Sequence, residues 1–315
     1  MVSGIADRSL HKMTTQDIDP MFDRAARQFN SNLKALDEDV LRLEEWLNTQ
    51  PHLPKLLDKN SLRNFVILNK CSIEIAKQKI DNYFSIRAKM PEVALGINPK
   101  LPYHKTFNEA AFLVEYPQPT DEMYRLIFFQ AKGESLPESY EPINFVKKFH
   151  TIQEMRMRDG VMCGDVVVVD YRGFPLSIAL KVTPMLVYKT LLLYERILSA
   201  RLKAVHSINT APYIMNIVRA LKSVIKPKVF ERLYFHPDLD SLKKVIRPDL
   251  LPVDFGGEGL SLQELEDALE EKYRKNQDLF DRIDEIKVDE SLRPCKLEDN
   301  ELLGYYGNFK KLEVD

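Results

Sequence analysis

The sequence predicts an α/β fold in which an N-terminal helical unit precedes a mainly parallel sheet flanked by helices. Three observations lead to it. The run Met162-Cys163-Gly164-Asp165-Val166-Val167-Val168-Val169-Asp170 is apolar and closes on Tyr171-Arg172-Gly173. Four valines without polar alternation suit a strand covered on both faces. A periodic apolar segment follows, from Thr183-Pro184 to Ser199. Thr183 stands where a helix cap belongs, and Pro184 fits a first turn that needs no N–H. Leu202-Lys203-Ala204-Val205-His206-Ser207-Ile208-Asn209 then reads as a second strand. Strand, helix, strand is a βαβ crossover.

Composition narrows the function classes. The 315 residues are 44% hydrophobic and 29% charged, with a formal net charge of −2. That length holds one large domain or two smaller ones. Neither Gly-x-x-x-x-Gly-Lys-Ser/Thr nor Gly-x-Gly-x-x-Gly occurs, which removes the usual phosphate-cradling loops. No apolar run approaches the roughly 20 residues that span a bilayer. Met1-Val2-Ser3-Gly4 opens no signal peptide, and Val2 stands where N-myristoylation requires glycine. A cytoplasmic protein is expected. Cys71, Cys163 and Cys295 are dispersed and the 6 histidines form no cluster; no metal centre and no cofactor are expected.

Charge is unevenly spread. Residues 196–236 hold 8 Lys or Arg against the single acid Glu231, whereas 258–315 hold 17 acids against 9 bases. A basic patch on a near-neutral chain predicts an anionic surface partner.

Along the chain, 1–20 show no periodicity and are read as irregular. The helical unit spans 21–91. Within 37–49, Val40, Leu43, Trp46 and Leu47 share a face, with Asp37 at a capping position. Pro51 and Pro54 break that helix. Leu62, Phe65, Val66 and Leu68 make a short helix, and Ser72 caps a longer one that ends at Pro91. A sheet domain follows over 92–270: a turn-rich stretch to 120, a strand at 123–129 and a helix at 142–158. The run 212–225 is apolar on more than one stripe. It is either a buried helix with a basic end or a helix covering a cavity on one side and meeting a membrane on the other. Residues 231–236 suit a strand, 241–246 a short helix, and 247–257 a turn-rich closure. Ser261 caps a last helix to about 286, within an acidic extension over 271–315.

Leu202-Lys203-Ala204-Val205-His206-Ser207-Ile208-Asn209 with Pro212, then Glu231-Arg232-Leu233 and Leu251-Pro252-Val253-Asp254-Phe255-Gly256-Gly257, together resemble the CRAL-TRIO lipid-binding family. Asp170-Tyr171-Arg172-Gly173 fits the Asp-x-x-Gly that ends the family's central strand, and the helices up to Pro91 resemble its helical N-terminal domain. The resemblance implies a sheet flooring a hydrophobic pocket, closed by a movable helical gate at 212–225. Positions lining the pocket in the tocopherol-transfer branch are held here by Leu193, Leu202 and Val205. The gate would add Tyr213, Ile214, Ile217, Val218 and Leu221. Basic residues that contact phosphoinositide headgroups in that branch match Arg201, Lys203, Lys222 and Arg232. Three departures stand out. The family's Lys-Pro-Phe-Leu is Lys222-Ser223-Val224-Ile225, its Leu-Arg-Phe-Leu-Arg-Ala-Arg is Leu62-Arg63-Asn64-Phe65-Val66-Ile67-Leu68-Asn69, and Asp254-Phe255 replace Glu and Tyr.

The function so implied is binding and transfer of a small hydrophobic lipid such as a tocopherol or a retinoid. Delivery would use transient docking on a phosphoinositide-containing membrane, with no nucleic acid involved. An enzyme would have to draw on His206, His236, Asp170 or Asp165, all of which have plain roles in or at the ends of strands. A protein-interaction module or regulator would use the same fold without lipid transfer. Strict alternation puts Arg201, Lys203 and Val205 on one strand face and Leu202 on the other, unless a bulge or the strand's end intervenes.

Overall fold

A computed structural model describes residues 15–161 and 163–294. Met162, Cys295, the remainder of the acidic extension and the first 14 residues lie outside the described residues. Four helices build the N-terminal unit: α1 (Thr15–Arg27), α2 (Leu33–Asn48), α3 (Lys59–Leu68) and α4 (Ile73–Ser85). The segment expected to be irregular up to residue 20 is thus helical from Thr15, with Pro20 inside it. Ile18, Phe22, Ala25 and Ala26 bury one face of α1 in the core of the unit, so packing overrides the proline.

Helix α2 begins earlier than its apolar stripe suggests. Asn32 caps it, its side-chain oxygen accepting from the Ala35 N–H at 3.0 Å. Asp37 is therefore no cap. It pairs with the Arg63 guanidinium at 2.7 Å, and Asp19 takes another Arg63 N–H at 2.7 Å. Arg63 is buried above the Phe22 ring, 5.0 Å from its centroid. One arginine joins α1, α2 and α3.

The chain continues through α5 (Pro102–Ala110), β1 (Ala111–Glu115), β2 (Arg125–Ala131), α6 (Pro142–Asp159), β3 (Asp165–Asp170), α7 (Leu176–Lys181) and α8 (Pro184–Leu192). Then come β4 (Leu202–Ile208), α9 (Pro212–Ala220), β5 (Leu233–Phe235), α10 (Leu239–Lys243), α11 (Leu262–Lys275) and α12 (Gln277–Asp284). Strands pair in chain order, β1 antiparallel to β2 and the others parallel. The expected mainly parallel sheet is there. Strand β1 and helix α7 escape the sequence reading because five and six residues are too few to display a period.

The valine run is covered on both sides. Val166 and Val168 join Phe128, Leu251 and Phe255 on one face, while Val167 joins Ile127, Phe129, Ile152 and Met155 on the other. The first face is closed by α10 and the turn-rich segment after it. There Gly256 has φ +71°, and a Cβ on Gly257 would lie 2.0 Å from the Leu251 carbonyl oxygen, so the chain needs glycine at both positions. The second face receives α6 and α7. Helix α8 starts on its Thr183 cap (3.2 Å to the Leu186 N–H) and passes into a π-helical turn, Leu193–Ile197. The expected helix 212–225 ends at Ala220 and tightens into a 3-10 turn, Leu221–Ser223. The Ser261 capping box forms, but the last helix breaks at Asn276 into α11 and α12.

Candidate functional site

On the sheet face carrying Val167 and Val169, a cavity of about 240 Å3 lies among the sheet, the start of α6 and the helix α8. Phe129 and Val169 form its floor. Tyr140, Pro142, Phe145 and Val146 come from the entry to α6, and Val182, Leu186, Val187, Thr190 and Leu191 from α8 and the residues before it. Tyr171 and Phe174 close the end. Asp170 sets that end. Its carboxylate accepts from the Arg172 N–H (2.9 Å), Arg172 Nε (2.6 Å) and Asn209 Nδ2 (2.8 Å), which holds the turn carrying both aromatics. No charged side chain is among the lining residues.

Leu202 and Val205 sit on this same face, half-buried beside the cluster of Phe129, Phe145 and Val167. Alternation alone separates them. The β3–β4 register reunites them, because Leu202 pairs with Asp165 and Ala204 with Val166. Lys203 is the extra residue of a bulge. Leu193 is buried among Leu192, Ile197 and Leu198, in the cluster shared with the helical unit. On and just after α9, Ile214 and Leu221 are buried, while Tyr213, Ile217 and Val218 are half-buried. The Tyr213 hydroxyl donates to the Phe174 carbonyl, tying α9 to the cavity's end. None of these eight positions is among the residues lining the cavity, which lies nearer to β2. The walls from Tyr140 to Val146 and from Leu186 to Leu191 were not singled out in the sequence; the available signal was the aromatic density at 140–149 and 171–174.

Helix α7 lies against α9, and next to them apolar side chains face outward. Leu176 is 47% exposed, Leu180 66% and Met185 46%.

Three of the four basic positions, Arg201, Lys203 and Arg232, meet at the start of β4. An Arg232 guanidinium N–H donates to the Leu202 carbonyl, between Arg201 and Lys203. Arg201 lies 5.1 Å from the Phe29 ring centroid and Lys203 5.2 Å from that of Tyr124. Lys222 stands 5.5 Å over Phe230, two residues before Arg232. Among the described residues, no carboxylate pairs with any of the four. Lys226 differs, since Glu195 neutralises it at 2.5 Å.

The candidate acid–base groups have local partners. Asp165 is buried, accepting from Arg156, Gln153 (3.0 Å) and Tyr194. His206 Nδ1 and His236 Nε2 are 2.9 Å apart, and the His206 ring stacks on Tyr234. Burial and the His236 neighbour push the His206 imidazole down to about 4. Among the described residues, no three His, Cys, Asp or Glu converge on a metal-sized site, and no helix is long and apolar enough to cross a membrane.

Residues 114–257 match the family model of the CRAL/TRIO domain, beginning inside β1 and ending at the close-packed Gly257. Those residues of the chain carry a CRAL-TRIO domain. A further model, described as a Pinta-like UBA domain, matches residues 32–103 of the chain. The chain is 26% identical over 223 residues to the alpha-tocopherol transfer protein-like protein of Homo sapiens, covering 70% of this chain and 64% of that one. Clavesin-2 of Rattus norvegicus is 22% identical over 250 residues, covering 75% and 73%. The chain thus spans a little under two thirds of the tocopherol-transfer-protein-like relatives it matches.

Proposed function

We propose that this CRAL-TRIO chain binds a small hydrophobic lipid, of tocopherol or retinoid size, between the sheet and α8–α9, and delivers it at a phosphoinositide-bearing membrane. The observation that carries this reading is an uncharged cavity next to exposed Leu176, Leu180 and Met185. A pocket closed from water gains roughly 25 cal/mol per Å2 of apolar ligand surface, so a lipid needs no charged anchor. At about 240 Å3 the cavity is smaller than the roughly 300 Å3 at the lower end of ligand pockets. Half-buried Leu186, Val187, Ile217 and Val218 are the side chains that must separate to admit a whole lipid. The four carboxylate-free cations support the membrane step, each Lys or Arg near an anionic surface contributing roughly 1 kcal/mol.

The test is extraction of fluorescent tocopherol from donor vesicles and its appearance in acceptors. Transfer should rise with protein concentration and run faster to acceptors containing phosphatidylinositol bisphosphate. Absence of any extracted lipid on the protein, at any vesicle composition, would leave the interaction-module reading in its place.

A further inference from the structure

After α12 the chain returns to the helical unit. Ile286 and Val288 pack against the core of that unit, and α4 then clasps Arg293. The Arg293 guanidinium donates to the Asp81 carboxylate (2.6 and 2.9 Å) and to the Ser85 hydroxyl (2.6 Å), with its side chain only 4% exposed. The same helix also holds the approach to β4. Lys79 of α4 donates to the Glu195 carbonyl at 2.6 Å, and the Glu195 carboxylate pairs with Lys226. Leu198 and Ala200 pack on the helical unit, and Arg201 lies over the Phe29 ring between α1 and α2. The chain beyond residue 294 and the basic cluster at β4 therefore both set out from the helical unit.

That cluster offers more than charge. The half-buried rings of Phe29, Tyr124 and Phe230 lie beneath Arg201, Lys203 and Lys222. Beyond the clasp, the sequence 297–309 carries the acids Glu298, Asp299 and Glu301 with no base, followed by Leu302, Leu303, Tyr305, Tyr306 and Phe309. Acids followed by apolar and aromatic residues complement cations set over aromatic rings. The seven residues 295–301 extend up to about 25 Å. Exposed ion pairs are weak one by one, but a tethered segment is held at a roughly millimolar effective concentration, so weak pairs suffice.

We propose that segment 297–309 of this chain lies on the basic cluster and masks it until an anionic membrane displaces the segment. Glu298, Asp299 and Glu301 occupy Arg201, Lys203, Lys222 and Arg232, and the apolar residues after them cover the rings. The proposal rests on the membrane-delivery reading above and adds its regulation. A phosphoinositide headgroup concentrates several phosphates at one point and takes the cations from dispersed carboxylates. A weakly anionic surface does not, so docking acquires a threshold.

The whole chain and its triple variant Glu298→Gln, Asp299→Asn, Glu301→Gln test this through two readouts. The first is trace acetylation of Lys203 and Lys222 without vesicles, read by mass spectrometry against exposed Lys105 on α5. Acetylation of both should rise at least three-fold in the variant. The second is co-sedimentation with vesicles. The variant should bind vesicles containing phosphatidylinositol bisphosphate about three- to ten-fold more tightly than wild type, and neutral vesicles within two-fold of it. Equal acetylation in the two proteins overturns the tail contact and leaves the membrane reading standing. Protection that appears only as protein concentration rises makes a second copy's segment the occupant and overturns masking within one chain. If acetylation rises but neither protein prefers anionic vesicles, the membrane reading falls and the masking with it.

Discussion

Leu202 and Val205 face the same side of the sheet because Lys203 is accommodated as an extra residue opposite β3. The bulge turns Lys203 outward, over the Tyr124 ring, while its neighbours on either side remain in register. Lys203 and the apolar pair Leu202 and Val205 therefore share one strand without sharing a face.

Val205→Phe should lower lipid uptake at least ten-fold. The added ring enters the half-buried space between β4 and α9, at a folding cost of about 1–3 kcal/mol. Equilibrium binding of fluorescent tocopherol, read beside a denaturant melt, checks it. Unchanged affinity in a folded Val205→Phe variant would locate the lipid away from β4.

Leu180→Asp should leave folding within about 0.5 kcal/mol, since the side chain is 66% exposed. Vesicle binding should weaken about ten-fold or more, because a buried leucine contributes roughly 1.5–3 kcal/mol. Co-sedimentation with neutral vesicles measures this. Equal sedimentation of variant and wild type would exclude insertion of the α7 surface.

Charge reversal at Arg201 and Lys222 together should remove most of the preference for phosphatidylinositol bisphosphate vesicles over neutral ones. Uptake of lipid from detergent should be unaffected. Raising salt should erode the wild-type preference in the same direction. A double variant that still discriminates the two vesicles places headgroup recognition elsewhere.

Glu154 predicts how stability depends on pH. It accepts from Arg87, Tyr83 (2.7 Å) and His150 (2.9 Å), joining α6 to the helical unit. Burial opposes its charge, but Arg87 and His150 outweigh burial and hold the carboxyl at about 2, below its ordinary 4.5. A folded-state value below the unfolded one means that this stabilisation is complete above about 4.5 and disappears as pH falls towards 2. Glu154→Gln strands Arg87 and should cost about 3–5 kcal/mol at pH 7. Urea melts should show the gap between variant and wild type narrowing below pH 4.5. A gap of constant size down to pH 3 would mean that the pair contributes little.

Local chemistry made much of this fold legible in advance. Four valines need cover on both faces wherever they lie, Thr183-Pro184 begins a helix by its own acceptor oxygen and fixed dihedral, and Ser261 with Glu264 closes a capping box within one turn. Resemblance supplied the family, the gate segment and the basic positions. Other features depend on residues far apart in the chain. Lys203 forms a bulge only because β3 pairs on either side of it, and Asp37 leaves its capping position because Arg63 arrives from another helix. The cavity wall is of this kind too. Tyr140, Val169 and Leu186 are distant in sequence, and only the packing of α6 and α8 across the sheet brings them around one space. Propensity and periodicity act over a few residues, whereas a cavity exists only after distant elements have met.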